Sequence, residues 1–297
     1  MNKNIVVIGA GTMGNGIAHT FAQSGFRVSM VDVNQENLDK ALQTITTNLD
    51  RIIAKGNLTE EEKRSTLDHI TTHTDLKDVA STADLIVEAA TENLELKLRI
   101  FAQMDELAPA NCILATNTSS ISITQIAAAT KRPEKVIGMH FMNPVPIMKL
   151  VEIIKGYSTS KETFDTIFAM SETLGKVPVE VNDYPGFVAN RILMPMINES
   201  IETLYNGVAG VQEIDTVMKL GMAHPMGPLQ LADFIGLDVC LAILNVMYDG
   251  FKNPKYAPNP LLVNMVMAGK KGVKSGEGFY DYSESKKAEK VSKMFLK

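Results

Sequence analysis

The stretch that decides the fold is Ile5-Val6-Val7-Ile8 followed by Gly9-Ala10-Gly11-Thr12-Met13-Gly14. The β-branched run predicts a buried parallel strand, and apolar residues at helical spacing after it predict a helix. The glycines have G-x-G-x-x-G spacing. The first permits a tight turn, the second lets the backbone approach a pyrophosphate, and the third lets the helix pack on the strand. The stretch therefore predicts a dinucleotide-binding turn, with Thr12 and Met13 among its contacts.

A second predicted strand, Arg27-Val28-Ser29-Met30-Val31, ends at Asp32. A carboxylate at this point can bind both hydroxyls of the adenosine ribose and would repel a 2′-phosphate. The glycine motif alone is a weak signal, and a glycine-rich turn in another kind of α/β protein is the alternative. Strand, motif, helix, strand and acid in this order are specific, however. We therefore predict NAD, rather than NADP, as the cofactor.

The composition excludes several other classes of protein. Of the 297 residues, 45% are hydrophobic and 21% are charged, which argues against disorder. The net charge of −5, with dispersed signs, argues against nucleic-acid binding. No apolar run approaches the roughly 18 residues of a membrane span, and the first strand leaves no room for a signal or transit peptide. We expect a cytoplasmic enzyme with no membrane partner.

Cysteine and histidine usage predicts no metal site. Cys112 and Cys240 are far apart and lie in apolar settings, which favours reduced core thiols over a disulfide or a metal site. The five histidines show no ligand spacing with cysteines or carboxylates.

Strand-like and helical segments alternate up to about residue 180, which predicts an α/β domain with a doubly wound, Rossmann-type parallel sheet. The pattern then changes and predicts an all-α C-terminal domain with helices over 187–205, 211–220 and 229–248. We place the boundary near Asp183 to Phe187, which gives domains over 1–184 and 185–297. Residues 286–297 are predicted as a short solvated helix or a frayed tail.

Two further apolar runs each carry one titratable residue. Residues 136–141 include His140, residues 149–154 include Glu152, and a short connection containing Pro144 separates the two runs. A histidine at the end of one strand can meet a carboxylate in the next, which fixes the imidazole tautomer and stabilises the protonated ring. A core histidine on an apolar strand is the alternative. The dinucleotide motif upstream favours a group that moves a proton.

Polar residues also stand where ligands bind in such folds, beyond the carboxyl ends of parallel strands. Asn117-Thr118-Ser119-Ser120 follows the strand-like run 112–115. For Ser120 and Ser122 we prefer ordinary turn and N-cap chemistry. Asn190 lies early in an otherwise apolar predicted helix, where it either faces a cleft or bonds to another helix. The sequence leaves both open.

With these motifs the chain resembles the (S)-3-hydroxyacyl-CoA dehydrogenase family, and most closely its bacterial, single-function members that act on 3-hydroxybutyryl-CoA. The resemblance extends over residues 5–282, and the motifs that carry it lie at 9–14, 117–120, 138–144, 185–191 and 224–228. It implies an NAD-binding domain, a helical domain that binds substrate and forms a homodimer or higher homo-oligomer, and a site in the cleft between them.

The resemblance also implies roles for single residues. His140 matches the catalytic base and Glu152 the carboxylate that orients it, while Ser119 and Asn190 match residues that hold the oxygen atoms of the substrate. Asp32 matches the adenosine-ribose ligand. The matches to the rest of the cofactor site are Glu92, Lys97, Ser119 and Asn143 beside the nicotinamide half, and Lys274 as a more distant contact.

A pair of cations matches a third part of the family's site. Arg51 and Lys55, four residues apart on one helix face, fall where bacterial members place cations for the phosphates of CoA. A solvated helix face is the alternative.

The activity implied is the NAD-dependent oxidation of (S)-3-hydroxyacyl-CoA, chiefly 3-hydroxybutyryl-CoA, and the reverse reduction of acetoacetyl-CoA, in fatty-acid and butyrate metabolism. Enzymes of the β-hydroxyacid dehydrogenase or imine reductase type are one alternative, but they use a lysine early in the interdomain helix and residues 183–206 contain none. A structural, crystallin-like protein on the same fold is another, which the intact catalytic set argues against. A redox-sensing regulator is disfavoured because no basic helix-turn-helix segment is visible.

Overall fold

The computed structural model describes residues 3–296, and the chain divides into two compact units between Tyr184 and Pro185. The strands of the first unit are β1 (Asn4–Ile8), β2 (Arg27–Val31), β3 (Ile70–His73), β4 (Leu85–Glu88), β5 (Ile113–Thr116), β6 (Val136–Phe141), β7 (Leu150–Lys155) and β8 (Val177–Asn182). Its helices are α1 (Thr12–Gln23), α2 (Gln35–Ala54), α3 (Glu60–Asp68), α4 (Leu94–Leu107), α5 (Ile123–Ala127) and α6 (Lys161–Thr173).

The eight strands form one sheet in the order β3-β2-β1-β4-β5-β6-β7-β8. All neighbours are parallel except β6 and β7, which are antiparallel. The predicted doubly wound, Rossmann-type fold is therefore confirmed, with one antiparallel junction added. The strand order reverses beside β1, between β1 and β4, where dinucleotides bind in folds of this kind.

Local signals explain where the elements of this unit begin. Thr59 and Glu62 form a reciprocal capping box at the start of α3. Ser122 caps α5 by accepting the N–H of Gln125. The core between sheet and helices includes Val7, Ile17 and other side chains with no exposed surface. Cys112 and Cys240 are both free and buried, and burial raises the pKa of each thiol to about 12.

The second unit is helical apart from two short paired strands. Its elements are α7 (Ala189–Tyr205), α8 (Val211–Gly221), α9 (Pro228–Ile235), α10 (Leu237–Phe251), α11 (Pro260–Met267), β9 (Tyr280–Asp281) and β10 (Lys290–Val291). The prediction of one helix over 229–248 is wrong. Gly236, at φ +103°, ends α9, and α10 leaves at 95° to it. In the described part of the chain no single helix is long and apolar enough to cross a membrane. The bent pair α9 and α10 has the length and composition of a membrane span only when the two helices are taken together.

The prediction for the C-terminal segment is also wrong. Instead of a solvated helix or frayed tail, the described residues 286–296 contain β10 and a 3-10 turn over Lys293–Phe295. Ser292 is buried, its N–H donates to the carbonyl of Phe279, and its hydroxyl donates to Glu277. Phe295 stacks on Phe279. These contacts order a segment whose composition alone indicates solvation.

Candidate functional site

The glycine-rich turn between β1 and α1 has space on one side and close contacts on the other. Gly9 has φ +99°, and a Cβ there would lie 2.6 Å from the carbonyl oxygen of Ala89. A Cβ on Gly14 would lie 1.8 Å from the carbonyl oxygen of Gly9. A Cβ on Gly11 would meet nothing within 4 Å, and no side chain caps the start of α1. The turn thus leaves helix N-terminal amides facing open space, which suits a phosphate group.

Asp32 lies beside this turn. Its carboxylate accepts the N–H groups of Ala10 at 2.9 Å and Asn34 at 3.0 Å, and the side-chain amide of Asn37 at 3.1 Å. Asp32 also borders a cavity of about 590 Å³ that includes Gly9, Gly11 and Arg99. Its carboxylate is fixed by the protein at the edge of a space into which an adenosine can fit.

His140 and Glu152 meet across the antiparallel pair β6–β7. They are directly opposite in the register, and the distance between His140 Nδ1 and Glu152 Oε2 is 2.8 Å. Both residues are buried, at 8% and 2% exposure. The hydrogen bond fixes which ring nitrogen carries the proton, as a carboxylate does in a hydrolase triad.

The polar loop after β5 is held by one carboxylate. Glu92 Oε1 accepts the Thr118 hydroxyl at 2.5 Å, the Ser119 N–H at 3.0 Å and the Ser120 hydroxyl at 3.0 Å. Burial raises the pKa of Glu92, but the Lys97 ammonium and these hydrogen bonds outweigh it and leave the pKa below its ordinary value. Ser120, expected to make ordinary turn contacts, instead donates to Glu92, because the loop curls around that carboxylate.

A buried cluster lies directly behind Glu92. Lys97, only 1% exposed, donates to Glu88 Oε1 at 2.7 Å and to the Ala90 carbonyl at 3.3 Å, and its ammonium lies 3.4 Å from Glu92 Oε2. Glu88 has no exposed surface and also accepts the Thr116 hydroxyl at 2.7 Å. The charged groups compensate one another, which a buried ammonium requires.

The loop is also joined to the strand that carries His140. The side-chain oxygen of Asn117 accepts the N–H of Phe141 at 2.9 Å. Asn143, just beyond that strand, is exposed and shares a cavity of about 380 Å³ with Gly11 and Thr12. The first unit therefore joins the loop 117–120 to the strand of His140 and brings Asn143 next to the glycine-rich turn.

Comparison with known proteins identifies the family of the chain. The model of the 3-hydroxyacyl-CoA dehydrogenase NAD-binding domain matches residues 4–184, and the model of that family's C-terminal domain matches residues 186–282. The chain belongs to the 3-hydroxyacyl-CoA dehydrogenase family. Its first unit is the NAD-binding domain of this family of oxidoreductases.

Individual relatives of the chain are similar over nearly their whole length. It is 54% identical to the probable 3-hydroxybutyryl-CoA dehydrogenase of Bacillus subtilis, with 95% of this chain and 98% of the relative covered. It is 52% identical to the 3-hydroxybutyryl-CoA dehydrogenase of Clostridioides difficile, covering 94% and 99%. The crystal structure of (S)-3-hydroxybutyryl-CoA dehydrogenase from Ralstonia eutropha matches with a TM-score of 0.92 at 50% identity, covering 96% and 100%.

Other residues that the family resemblance singles out belong to α2 and to the second unit. Arg51, in the last turn of α2, and Lys55, which ends that helix, are both exposed. In the second unit, Asn190 is buried in the first turn of α7, and the Lys274 ammonium forms an ion pair with Asp238. Within residues 3–296, no group of three or more histidine, cysteine or acidic side chains is placed to bind a metal.

Sequence reasoning missed Glu88, Thr116 and the structural role of Asn117. The available signal was the position of Glu88 and Thr116. Each is the polar last residue of a buried strand, and the two strands are neighbours in the sheet. In a parallel sheet such residues lie at the same edge, so a carboxylate there has a hydroxyl beside it.

Proposed function

We propose that this chain catalyses the NAD-dependent oxidation of (S)-3-hydroxybutyryl-CoA to acetoacetyl-CoA and the reverse reduction. The observation that carries the proposal is the buried 2.8 Å hydrogen bond between His140 and Glu152 within an NAD-binding domain. The choice of substrate is supported by the names of relatives that are 50–54% identical over nearly the whole chain.

His140 is the proposed proton-transfer group. NAD, when bound, would supply the hydride acceptor for C3 of the hydroxyacyl group. Because Nδ1 of His140 faces Glu152, Nε2 is the nitrogen that takes the proton from the C3 hydroxyl and returns it during reduction. Glu152 stabilises the imidazolium that forms and keeps the ring in one orientation.

Other residues bind and orient the substrate in this proposal. Ser119 and Asn190, carried over from the family resemblance, donate hydrogen bonds to the oxygen atoms of the substrate, which is an electrostatic contribution. Arg51 and Lys55 pair with the phosphates of CoA from the exposed face of α2. We assign residues 185–297, the second unit, a share of substrate binding together with dimerisation.

The residues of the first unit fit NAD. The amides at Gly11 and Thr12 would bind the pyrophosphate, and Asp32 would bind the adenosine ribose. Glu92, Ser119 and Asn143 would line the nicotinamide half, while Lys97 would act on it from its buried position behind Glu92. Lys274 is proposed as a more distant contact.

We also propose a homodimer formed through the second unit. Helix α8 exposes Val217 at 60% and Leu220 at 83%, and Phe234 of α9 is 56% exposed. Large exposed apolar side chains on neighbouring helices are typical of an association surface. Light scattering should give the mass of a dimer, and Leu220→Lys should shift it toward the 32.5 kDa of one chain. A wild type that is monomeric at all concentrations would contradict this assembly.

The decisive assay is the loss of NADH absorbance with acetoacetyl-CoA. It is repeated with NADPH, with longer 3-ketoacyl-CoAs, and with free acetoacetate and a cyclic imine as controls. Turnover with acetoacetyl-CoA and NADH supports the proposal. Turnover only with the free acid or the imine would favour the β-hydroxyacid dehydrogenase or imine reductase type, and no turnover with any substrate would favour a structural protein. The cytoplasmic location stays a prediction that cell fractionation tests.

A further inference from the structure

Glu88 is a fully buried carboxylate at the end of β4 with a donor on each oxygen. Oε1 accepts the Lys97 ammonium at 2.7 Å and the N–H of Ala90 at 2.6 Å, and Oε2 accepts the hydroxyl of Thr116 at 2.7 Å. A carboxylate without exposed surface is costly unless it is paired and hydrogen-bonded. Here three donors, from α4, from β5 and from the loop after β4, satisfy that requirement.

One chain of contacts runs from Glu88 through the ammonium of Lys97. This ammonium donates to Glu88 and to the Ala90 carbonyl, and these two hydrogen bonds hold it 3.4 Å from Glu92 Oε2. Through its other oxygen, Glu92 accepts the N–H of Ser119.

A second chain of contacts runs through the hydroxyl of Thr116. This hydroxyl donates to Glu88 and accepts the N–H of Thr118 at 3.1 Å. The hydroxyl of Thr118 then donates to Glu92 Oε1. Both chains therefore start at Glu88 and end on the loop 117–120, so this one carboxylate fixes the loop from two sides.

We propose that Glu88 is a positioning residue of the cofactor site: through Lys97 and Thr116 it sets Glu92 and Ser119 in the geometry that binds the nicotinamide half of NAD. This inference rests on the proposed function. A residue that only stabilised the core would affect the whole NAD-binding domain. Two of the three contacts of Glu88 lead to the loop 117–120, and the third holds Ala90 beside the proposed adenosine cavity. Loss of Glu88 should therefore weaken the binding of the nicotinamide half much more than that of the adenosine half.

The test measures the affinity of two ligands for the full chain by titration calorimetry. NADH spans the whole cofactor site, whereas ADP carries the adenosine and the two phosphates but no nicotinamide. Glu88→Gln should raise the Kd of NADH by about tenfold or more, since hydrogen bonds to charged groups are lost. The Kd of ADP should change by less than about twofold.

Two further variants keep the test decisive if Glu88→Gln does not fold. Thr116→Val removes only the second chain of contacts and should raise the Kd of NADH several-fold, and Thr116→Ser, which keeps the hydroxyl, should restore it. Asp105→Asn is the matched control, because it disrupts another buried ion pair of the same unit, with Arg132. It should lower the free energy of unfolding without changing the ratio of the two Kd values.

Each remaining outcome counts against a specific claim. Equal weakening of NADH and ADP in the Glu88 or Thr116 variants, or unchanged NADH binding by the folded variants, would overturn the positioning role alone. A wild type that binds ADP but not NADH would overturn the proposed function together with this inference.

Discussion

His140 and Glu152 occupy opposite positions on the two strands of the only antiparallel junction in the eight-stranded sheet, with 2.8 Å between Nδ1 and Oε2. Directly opposite residues of an antiparallel pair project on the same face with their Cβ atoms about 5 Å apart. The side chains of His140 and Glu152 are long enough to meet across this separation. The reversal of chain direction after β6 thus creates the candidate proton-transfer pair.

The first prediction concerns this pair as a unit. His140→Gln should fold and bind NADH normally but lose about 10²-fold or more in kcat with acetoacetyl-CoA, because the proton donor is gone. Glu152→Gln should also lower kcat. The double variant should be little worse than His140→Gln, since Glu152 acts through the imidazole. Steady-state kinetics of the three variants check this, and strictly multiplicative losses would show that the two residues act independently.

The second prediction concerns the choice between NADH and NADPH. Asp32→Ser removes the carboxylate that borders the proposed adenosine cavity and that would repel a 2′-phosphate. The ratio of kcat/KM for NADH to that for NADPH should fall by about tenfold or more. Asp39→Ser, an exposed acid on α2, serves as the control. An unchanged ratio in the Asp32 variant would mean that Asp32 is not the ribose ligand.

The third prediction tests whether Arg51 and Lys55 contact the phosphates of CoA or only form an ordinary solvated helix face. Replacing both Arg51 and Lys55 with Gln should raise the KM for acetoacetyl-CoA several-fold with little change in kcat, and should weaken the salt dependence of KM. Acetoacetyl-pantetheine, which lacks the nucleotide and its phosphates, should show no such change. Lys161→Gln, an exposed cation on α6, provides the control. Equal effects on both substrates would point to a solvated face.

The parts of the fold that the sequence predicts are those with local signals. The glycine motif and the acid that follows β2 are each encoded within a few residues. The His140–Glu152 pair is also nearly local, because a short connection joins its two strands. The break at Gly236 was missed because a glycine inside an apolar helical period is tolerated, and only its backbone angle reveals that α9 ends there.

The cluster around Glu88 shows the opposite case. Its members come from β4, α4 and β5, and only the order of strands in the sheet brings them together. A glutamate that ends an apolar strand has the same sequence pattern as a solvent-facing strand end. Burial, which decides between the two, depends on packing against helices that are distant in the chain.

The fourth prediction concerns stability in acid. His19 is fully buried on α1, and neither of its ring nitrogens has a hydrogen-bond partner among the described residues. Burial lowers the pKa of His19 from 6.5 to about 4, and the Lys176 ammonium acts in the same direction. The unfolded chain therefore takes up this proton at a higher pH than the folded chain does, so the free energy of unfolding falls as pH drops from 6.5 toward 4.

Urea unfolding at pH 7.5 and 5.5 measures this effect. Between pH 7.5 and pH 5.5 the free energy of unfolding of the wild type should fall by about 1.4 kcal/mol more than that of His19→Gln, in which the titrating group is absent. All other groups titrate in both proteins, so their contributions cancel in the comparison. Parallel losses in the two proteins would mean that folding does not change the pKa of His19.

The last prediction concerns Gly227, in the motif His224-Pro225-Met226-Gly227-Pro228, where the surroundings leave no room for a side chain. A Cβ on Gly227 would lie 2.2 Å from Cγ of Asp215, a buried carboxylate that accepts the N–H groups of Leu229 and Gln230 at the start of α9. Gly227→Ala must displace this carboxylate and should lower the free energy of unfolding by about 1–3 kcal/mol.

Gly221, which ends α8, has nothing within 4 Å of its Cβ position, so Gly221→Ala should be neutral or stabilise by up to about 1 kcal/mol. Denaturant titration of both variants checks the contrast. Equal effects at the two positions would indicate that Asp215 can move away without loss.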